Sequence, residues 1–433
     1  MSKLAINGGK PIRKKPFPPY KTIGIEEKKA VTGVLDSGIL SRFLGCWHKD
    51  FYGGSEVQSL EREWAKYFKT KHAFSVNSCT SGLYCAVGAI GIEPGDEIIV
   101  SPYTMSASSV APLIYNAIPV FADIEEDYFC LDPKSVEKKI TSRTRAIIVV
   151  DIFGLPYDAL AINKIAKKYG LFVIEDTAQA PGALYDGRFA GTLGDIGVYS
   201  LNYHKHIHCG EGGIVVTNND KFAERISLIR NHAEAVVEDK KVSDLSNMLG
   251  FNFRMTEIEA AIVRCQLKKL KCLLKERQAN CEYLASKISQ IPAIIAPKIR
   301  QGCTHAYYIH PFRFKEEIAG VCRDKFIEAV RAELAPSELR SDDNVLVSCG
   351  YAKPLYLQPL YQNKIAYGSR GFPFRKPVYN GKLSYSKGIC PVAERMYEKE
   401  LFSHELMRPP MGRKDLDDVV LAFNKVWENR SEI

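Results

Sequence analysis

Apolar residues along this chain recur at two spacings, one typical of strands and one of helices. Between about residues 70 and 220, short β-branched runs return at intervals: His72–Val76, Glu97–Val100, Ile118–Phe121, Ala146–Val150, Leu171–Ile174, Ile196–Tyr199 and Ile214–Thr217. Helix-like or turn-rich stretches separate most of them, among them Ser81–Ile90, Ala107–Tyr115, Asp132–Ile140 and Leu160–Lys168. Asp132 followed by Pro133 makes a good N-cap and first helical residue. Strands alternating with helices predict an α/β fold with a mostly parallel sheet covered on both faces. Ligands of such sheets sit beyond the carboxyl ends of the strands. Polar residues just after strands are therefore where chemistry is expected.

The flanks read differently. Residues 1–24 are basic and proline-rich and read as an extended arm. Ile25–Ser37 is helix-like, with Gly38 placed to end it. Residues 40–55 carry Trp47, Gly53 and Gly54 without a period and read as a loop. A long amphipathic pattern from Thr256 to about Ile291 predicts a helix bridging to a second unit. Beyond it, Tyr307–Arg313 reads as a strand, and Asp324–Leu334 and Leu416–Glu428 as helices. The expected organisation is an arm (1–24), a large domain (25–265) and a smaller α+β C-terminal domain (266–433), consistent with 433 residues.

Composition narrows the partners. Hydrophobic residues make up 46% and charged residues 25%, as in an ordinary globular protein. The formal net charge of +9 is a mild bias over this length. It suits a phosphate-bearing ligand or a plain solvated surface, and no basic stripe with interleaved aromatics points to nucleic acid. No apolar run reaches a membrane span. The twelve cysteines are scattered, without a C-x-x-C pair. With no secretory signal pattern at the N-terminus, a reducing cytoplasm is the expected compartment.

Four polar clusters could carry chemistry. Asn77-Ser78-Cys79-Thr80-Ser81-Gly82 stands between a strand and a helix; it suits an anion at the helix N-terminus, or an ordinary capped turn. Glu175-Asp176-Thr177-Ala178-Gln179 ends a strand, so an acid there faces the crevice or caps a helix. Ser200 to Gly213 sets Lys205 among His204, His206 and His208, ahead of Gly-Glu-Gly-Gly. Three readings stay open: the histidines as metal ligands on one face of a strand, Lys205 as a nucleophilic amine, or a solvated loop. In Gly250 to Glu257, Thr256 is a fair N-cap, while Asn252 and Arg254 answer no structural need visible in the sequence.

Together these clusters resemble the DegT/DnrJ/EryC1/StrS sugar aminotransferases, which are pyridoxal-phosphate enzymes of fold type I. The likeness runs from Ile6-Asn7-Gly8-Gly9-Lys10-Pro11 to Cys390-Pro391-Val392-Ala393-Glu394-Arg395. It implies a seven-stranded large-domain sheet and a homodimer with shared active sites. Lys205 would form the Schiff base with pyridoxal phosphate and act as acid and base. Asp176 would face the ring nitrogen and Gln179 the phenolic oxygen. Thr80, Ser81 and Ser200 would bind the phosphate, completed by Asn252 of the neighbouring subunit.

The sequence departs from that family at several points. Met105 stands where an aromatic ring usually stacks on the cofactor, with Tyr103 nearby as a substitute. Cys79 replaces a glycine, Asp151 stands where histidine is common, and the loop 40–55 looks long. The reaction implied moves an amino group from glutamate or glutamine to a nucleotide-linked keto sugar or a ketocyclitol. The two end motifs resemble the branch acting on scyllo-inosose and related cyclitols, or making aminohydroxybenzoate. Two alternatives remain. One is a sugar 3-dehydratase, whose family replaces the Schiff-base lysine with histidine. The other is a metal-dependent hydrolase using His204, His206 and His208.

Overall fold

A computed structural model describes residues 3–339 and 344–433. The strands are β1 (His72–Val76), β2 (Glu97–Val100), β3 (Ile118–Phe121), β4 (Thr144–Val150), β5 (Phe172–Asp176), β6 (Leu184–Tyr185), β7 (Arg188–Phe189), β8 (Ile196–Ser200) and β9 (Gly213–Thr217), followed by β10 (Ile294–Ile295), β11 (His310–Phe314), β12 (Val347–Cys349) and β13 (Leu401–His404). Seven of them form one sheet in the order β1-β9-β8-β5-β4-β2-β3, and β10-β11-β13-β12 form a second. In the large sheet β9 alone runs against the direction of the other six strands. The fold is therefore the expected α/β one, with a smaller C-terminal α+β sheet.

Helices α1 (Ile25–Ser37), α2 (Ser55–Phe68), α3 (Cys79–Ala89), α4 (Ala107–Ile114), α5 (Pro133–Lys139), α6 (Ala159–Tyr169), α7 (Asp220–Arg230) and α8 (Glu257–Ile288) surround the sheet or lead away from it. Gly38 ends α1 with φ of 68°, a left-handed residue that glycine adopts freely. Two helices that the sequence reading left unassigned, α2 and α7, pack Trp64 and Phe222 into the core. Strand alternation divides that core. In β9, Val215 enters one apolar layer, while Ile214 and Val216 enter the layer shared with α2 and α8.

The long helix is capped as expected. Thr256 accepts from the Glu259 backbone N–H, and Glu259 reaches back to the Thr256 N–H. It then runs unbroken from 257 to 288 and changes partners on the way. Leu267, Leu270 and Leu274 pack under the large sheet, whereas Cys281, Leu284 and Ile288 pack in the core of the small one. The arm is pinned rather than loose, since Leu4 and Phe17 are buried in the small-sheet core. Tyr356, Tyr361 and Tyr385 cross back into the large core.

One strand was expected too early. Tyr307 takes φ of 50°, so the backbone turns there and pairing begins only at His310. Tyr308 N–H donates to the Phe153 carbonyl instead, which brings Tyr308 towards the end of the large sheet.

Candidate active site

A cavity of about 230 Å³ opens at the carboxyl ends of β5 and β8. Into it lead the first turn of α3, the end of β5 and the connection between β8 and β9. That connection, residues 201–212, is a hairpin loop rather than a strand. Its ends are tied by Leu201 N–H to the Gly212 carbonyl and Cys209 N–H to the Leu201 carbonyl. The reading that sets the three histidines on one face of a strand therefore fails. His206 turns its Nε2 to the Ala306 carbonyl at 2.8 Å, and the His204 ring stands edge-on to Tyr203. Among the described residues, no group of three or more His, Cys, Asp or Glu side chains is placed to hold a metal.

Lys205 and Asp176 both line the cavity and are both buried. The Lys205 ammonium lies 4.0 Å from the centre of the Tyr308 ring. Burial pushes its pKa down to about 8, against the opposing pull of Cys79 and Asp176, with Arg408 lowering it further. Asp176 follows Glu175 on β5, so the two point to opposite faces. Glu175 accepts the N–H groups of Gly191, Leu193 and Gly194 on one side. Asp176 faces the cavity on the other. Its Oδ2 accepts from the Ser108 hydroxyl at 2.6 Å and its Oδ1 from Ala178 N–H at 3.2 Å. Burial raises its pKa; these hydrogen bonds and Lys205 oppose the rise.

Ser78 caps α3 by accepting from Ser81 N–H. Cys79 and Thr80 line the cavity on the open first turn, where helix N–H groups lack intrahelical partners. Gly213 makes this approach possible: a Cβ there would lie 2.7 Å from Cys79 N. Ser200 lines the cavity too. Ser81 does not; its hydroxyl donates to Asn77 Oδ1 at 2.6 Å, so its side chain serves the turn. Gln179 is oriented by Phe153 N–H, which donates to its Oε1, and its Nε2 donates to the Tyr351 hydroxyl at 2.8 Å.

Met105 lines the mouth of the cavity and is 64% exposed. Tyr103 cannot replace it, because its ring is buried edge-on against Phe153 and Tyr351 and lies outside the lining. Asp151 also stands behind the wall, accepting from Tyr157 N–H and the Thr177 hydroxyl. Asn252 is exposed and outside the cavity of its own chain. Its backbone carbonyl accepts from Asn77 Nδ2 at 3.3 Å.

Sequence reasoning missed three residues here: Ser108, Tyr308 and Tyr351. They come from α4, from the turn at Tyr307 and from the C-terminal segment that crosses back, and none sits in a polar cluster after a strand.

The donor set fits a phosphorylated aromatic aldehyde with a basic ring nitrogen. A desolvated amine can attack the aldehyde, a buried carboxylate can face a protonated nitrogen, and an open helix turn can take the phosphate. A model of the DegT/DnrJ/EryC1/StrS aminotransferase family matches residues 23–384. The chain is 31% identical over 418 residues to the spore coat polysaccharide biosynthesis protein SpsC of Bacillus subtilis, covering 95% of this chain and 97% of that protein. It is 30% identical over 442 residues to the L-glutamine:scyllo-inosose aminotransferase of Streptomyces griseus, covering 100% of this chain and 99% of that protein. An aminotransferase structure from Psychrobacter cryohalolentis superposes with a TM-score of 0.79 at 27% identity, covering 96% of this chain and 99% of that one. S. venezuelae DesV, solved with a ketimine intermediate, superposes with a TM-score of 0.77 at 28% identity over the same shares.

Proposed function

Because the chain belongs to the DegT/DnrJ/EryC1/StrS aminotransferase family, we propose that this pyridoxal-phosphate-dependent aminotransferase anchors its cofactor on Lys205 and aminates a keto sugar or ketocyclitol. One observation carries the site assignment: a buried amine and a buried carboxylate share a single cavity at the strand ends. When bound, pyridoxal phosphate supplies an electron sink for the negative charge that develops at the donor's α-carbon. Lys205 would hold the cofactor through its amine and, as acid and base, would carry the donor's α-proton. Asp176 keeps the ring nitrogen protonated, and Ser108 holds the Asp176 carboxylate in place. Gln179 serves the phenolic oxygen. Thr80, Ser200 and the first-turn N–H groups of α3 hold the phosphate. Asn252 completes that phosphate site in the partner of a homodimer.

Glutamine or glutamate is the donor and a ketocyclitol such as scyllo-inosose the leading acceptor, with nucleotide-linked keto sugars next. The full-length likeness to the Streptomyces griseus protein supports that order. A cytoplasmic setting suits twelve cysteines that are all free. Lysine at position 205 disfavours the dehydratase reading, and the dispersed histidines disfavour the hydrolase.

The test is spectroscopic. Protein loaded with pyridoxal phosphate should show a visible band that bleaches on adding glutamate or glutamine. Lys205→Ala should still bind pyridoxamine phosphate but turn over at least about 10²-fold more slowly. Wild-type turnover in that variant would end the proposal.

A further inference from the structure

Asp151 is one of this chain's departures from its family, a carboxyl where histidine is common. It follows β4, and its N–H donates to the Asp176 carbonyl at 3.1 Å. The parallel register sets it beside Thr177, on the side of β5 that Glu175 faces. Asp151 and Glu175 are both fully buried. Glu175 accepts three backbone N–H groups, from Gly191, Leu193 and Gly194. Asp151 accepts the Tyr157 N–H at 3.0 Å and the Thr177 hydroxyl at 2.9 Å, and it hydrogen-bonds to Glu175. Two carboxyl groups in contact and out of water do not both hold a charge. The three N–H groups favour the charge on Glu175, so the proton stays with Asp151. Burial and the Glu175 charge push the Asp151 pKa well up.

Asp151 holds a strained turn. Phe153 sits at φ of 60°, a left-handed conformation that a bulky residue keeps only when its surroundings impose it. The bond from Tyr157 N–H to Asp151 closes the turn over residues 151–157. Phe153 turns both of its backbone groups to the active site. Its N–H donates to Gln179 Oε1 at 2.7 Å, and its carbonyl accepts from Tyr308 N–H at 2.7 Å. Gly154 lets the Tyr308 segment approach, since a Cβ there would lie 2.6 Å from Tyr307 N. The Tyr308 ring centre is in turn 4.0 Å from the Lys205 ammonium. Thr177, which Asp151 also holds, stands between Asp176 and Gln179 in the chain. We infer that Asp151 is a positioning residue for amino transfer: through Thr177 and the 151–157 turn it sets Gln179 and Tyr308 against the cofactor. It acts as a neutral acid that donates to Glu175, and it touches no reacting atom. The inference rests on the reading of Lys205 and Gln179 given above.

Three measurements test this. On protein loaded with pyridoxal phosphate, the pH midpoint of the visible band reports the hydrogen bonds to the phenolic oxygen. Asp151→Ala should loosen Gln179 and raise that midpoint by at least about half a unit. Because Asp151 acts through Gln179, adding Asp151→Ala to Gln179→Ala should move the midpoint little further. In single-turnover bleaching, Asp151→Ala should lower the limiting rate at least about 10-fold, with the half-saturating glutamate concentration within about threefold of wild type. Asp151→Asn, whose amide donates and accepts as the neutral acid does, should restore most of both. On cofactor-free protein at neutral pH, the infrared difference between wild type and Asp151→Asn should show the carbonyl stretch of a protonated carboxyl group. Should Asp151→Ala fail to fold, Thr177→Val removes a single hydroxyl and should shift the midpoint less, in the same direction. A merely structural role would lower the melting temperature and leave the midpoint alone. An unmoved midpoint, additive shifts in the double variant, Asp151→Asn as impaired as Asp151→Ala, or no protonated-carboxyl signal overturns the inference. A wild-type protein without a visible band overturns the reading of Lys205, and this inference with it.

Discussion

At the scale of single residues, the cavity works by setting two charges apart in a dry place. Lys205, with its pKa lowered to about 8, is largely neutral above that pH and protonated below it. Aldehyde capture by the cofactor-free protein should therefore speed up as pH rises through about 8 and then level off. A rate still climbing towards pH 10 would show an ordinary lysine. Ser108 gives the Asp176 carboxylate a charge-assisted hydrogen bond. Its loss in Ser108→Ala should cost about 1.5–3 kcal/mol of transition-state stabilisation, read as a fall in kcat with little change in KM. Lys205, Asp176, Thr80, Gln179 and Ser200 could be picked out in the sequence because each stands at or beyond the end of a strand or in a strand-to-helix turn. Ser81 shared that signal, yet its side chain is spent on the turn. Tyr308 and Tyr351 gave no signal, because their place depends on tertiary crossings that no local pattern encodes.

At the scale of elements, strands were easier to read than loops. Alternate and continuous apolar runs placed all seven strands of the large sheet to within two residues, since a buried strand has no choice of residue type. The Lys205 segment misled in one respect. Its alternating histidines look like strand periodicity, but the tie between Leu201 and Gly212 closes a loop there. Gly213 begins the returning strand at backbone-contact distance from α3. Gly213→Ala should destabilise the protein by about 1–3 kcal/mol and weaken cofactor binding together, measured by melting with and without pyridoxal phosphate.

The small sheet carries its own pH dependence. His310 Nδ1 and His404 Nε2 lie 3.1 Å apart, and His305 stacks on Tyr307 beside them. Burial depresses all three, His305 and His404 to about 3. In the unfolded chain they take up protons below about 6.5. Their contribution to stability is thus complete above pH 6.5 and declines as pH falls from there towards 3. Urea midpoints should drop from pH 7 to pH 5, and His404→Gln should flatten the slope. A midpoint insensitive to pH over that interval would contradict this account.

At the scale of the whole molecule, the exposed Asn252 side chain makes a prediction about pairs of chains. If it serves the neighbouring subunit, inactive Lys205→Ala and Asn252→Ala proteins should rescue each other when refolded together. Random pairing gives about a quarter of wild-type activity, because each hybrid dimer regains one complete site. No rescue, with hybrids demonstrated, would place the function of Asn252 within one chain.

The continuous α8 has a practical consequence. Because its first half belongs to one apolar core and its second half to another, no cut within it yields two self-sufficient pieces. A polypeptide severed near Gln278 should give fragments that aggregate when made separately and become soluble when co-expressed. The rod thus offers a natural place to build a two-part reporter, in which reassembly of the halves is read out by transaminase colour.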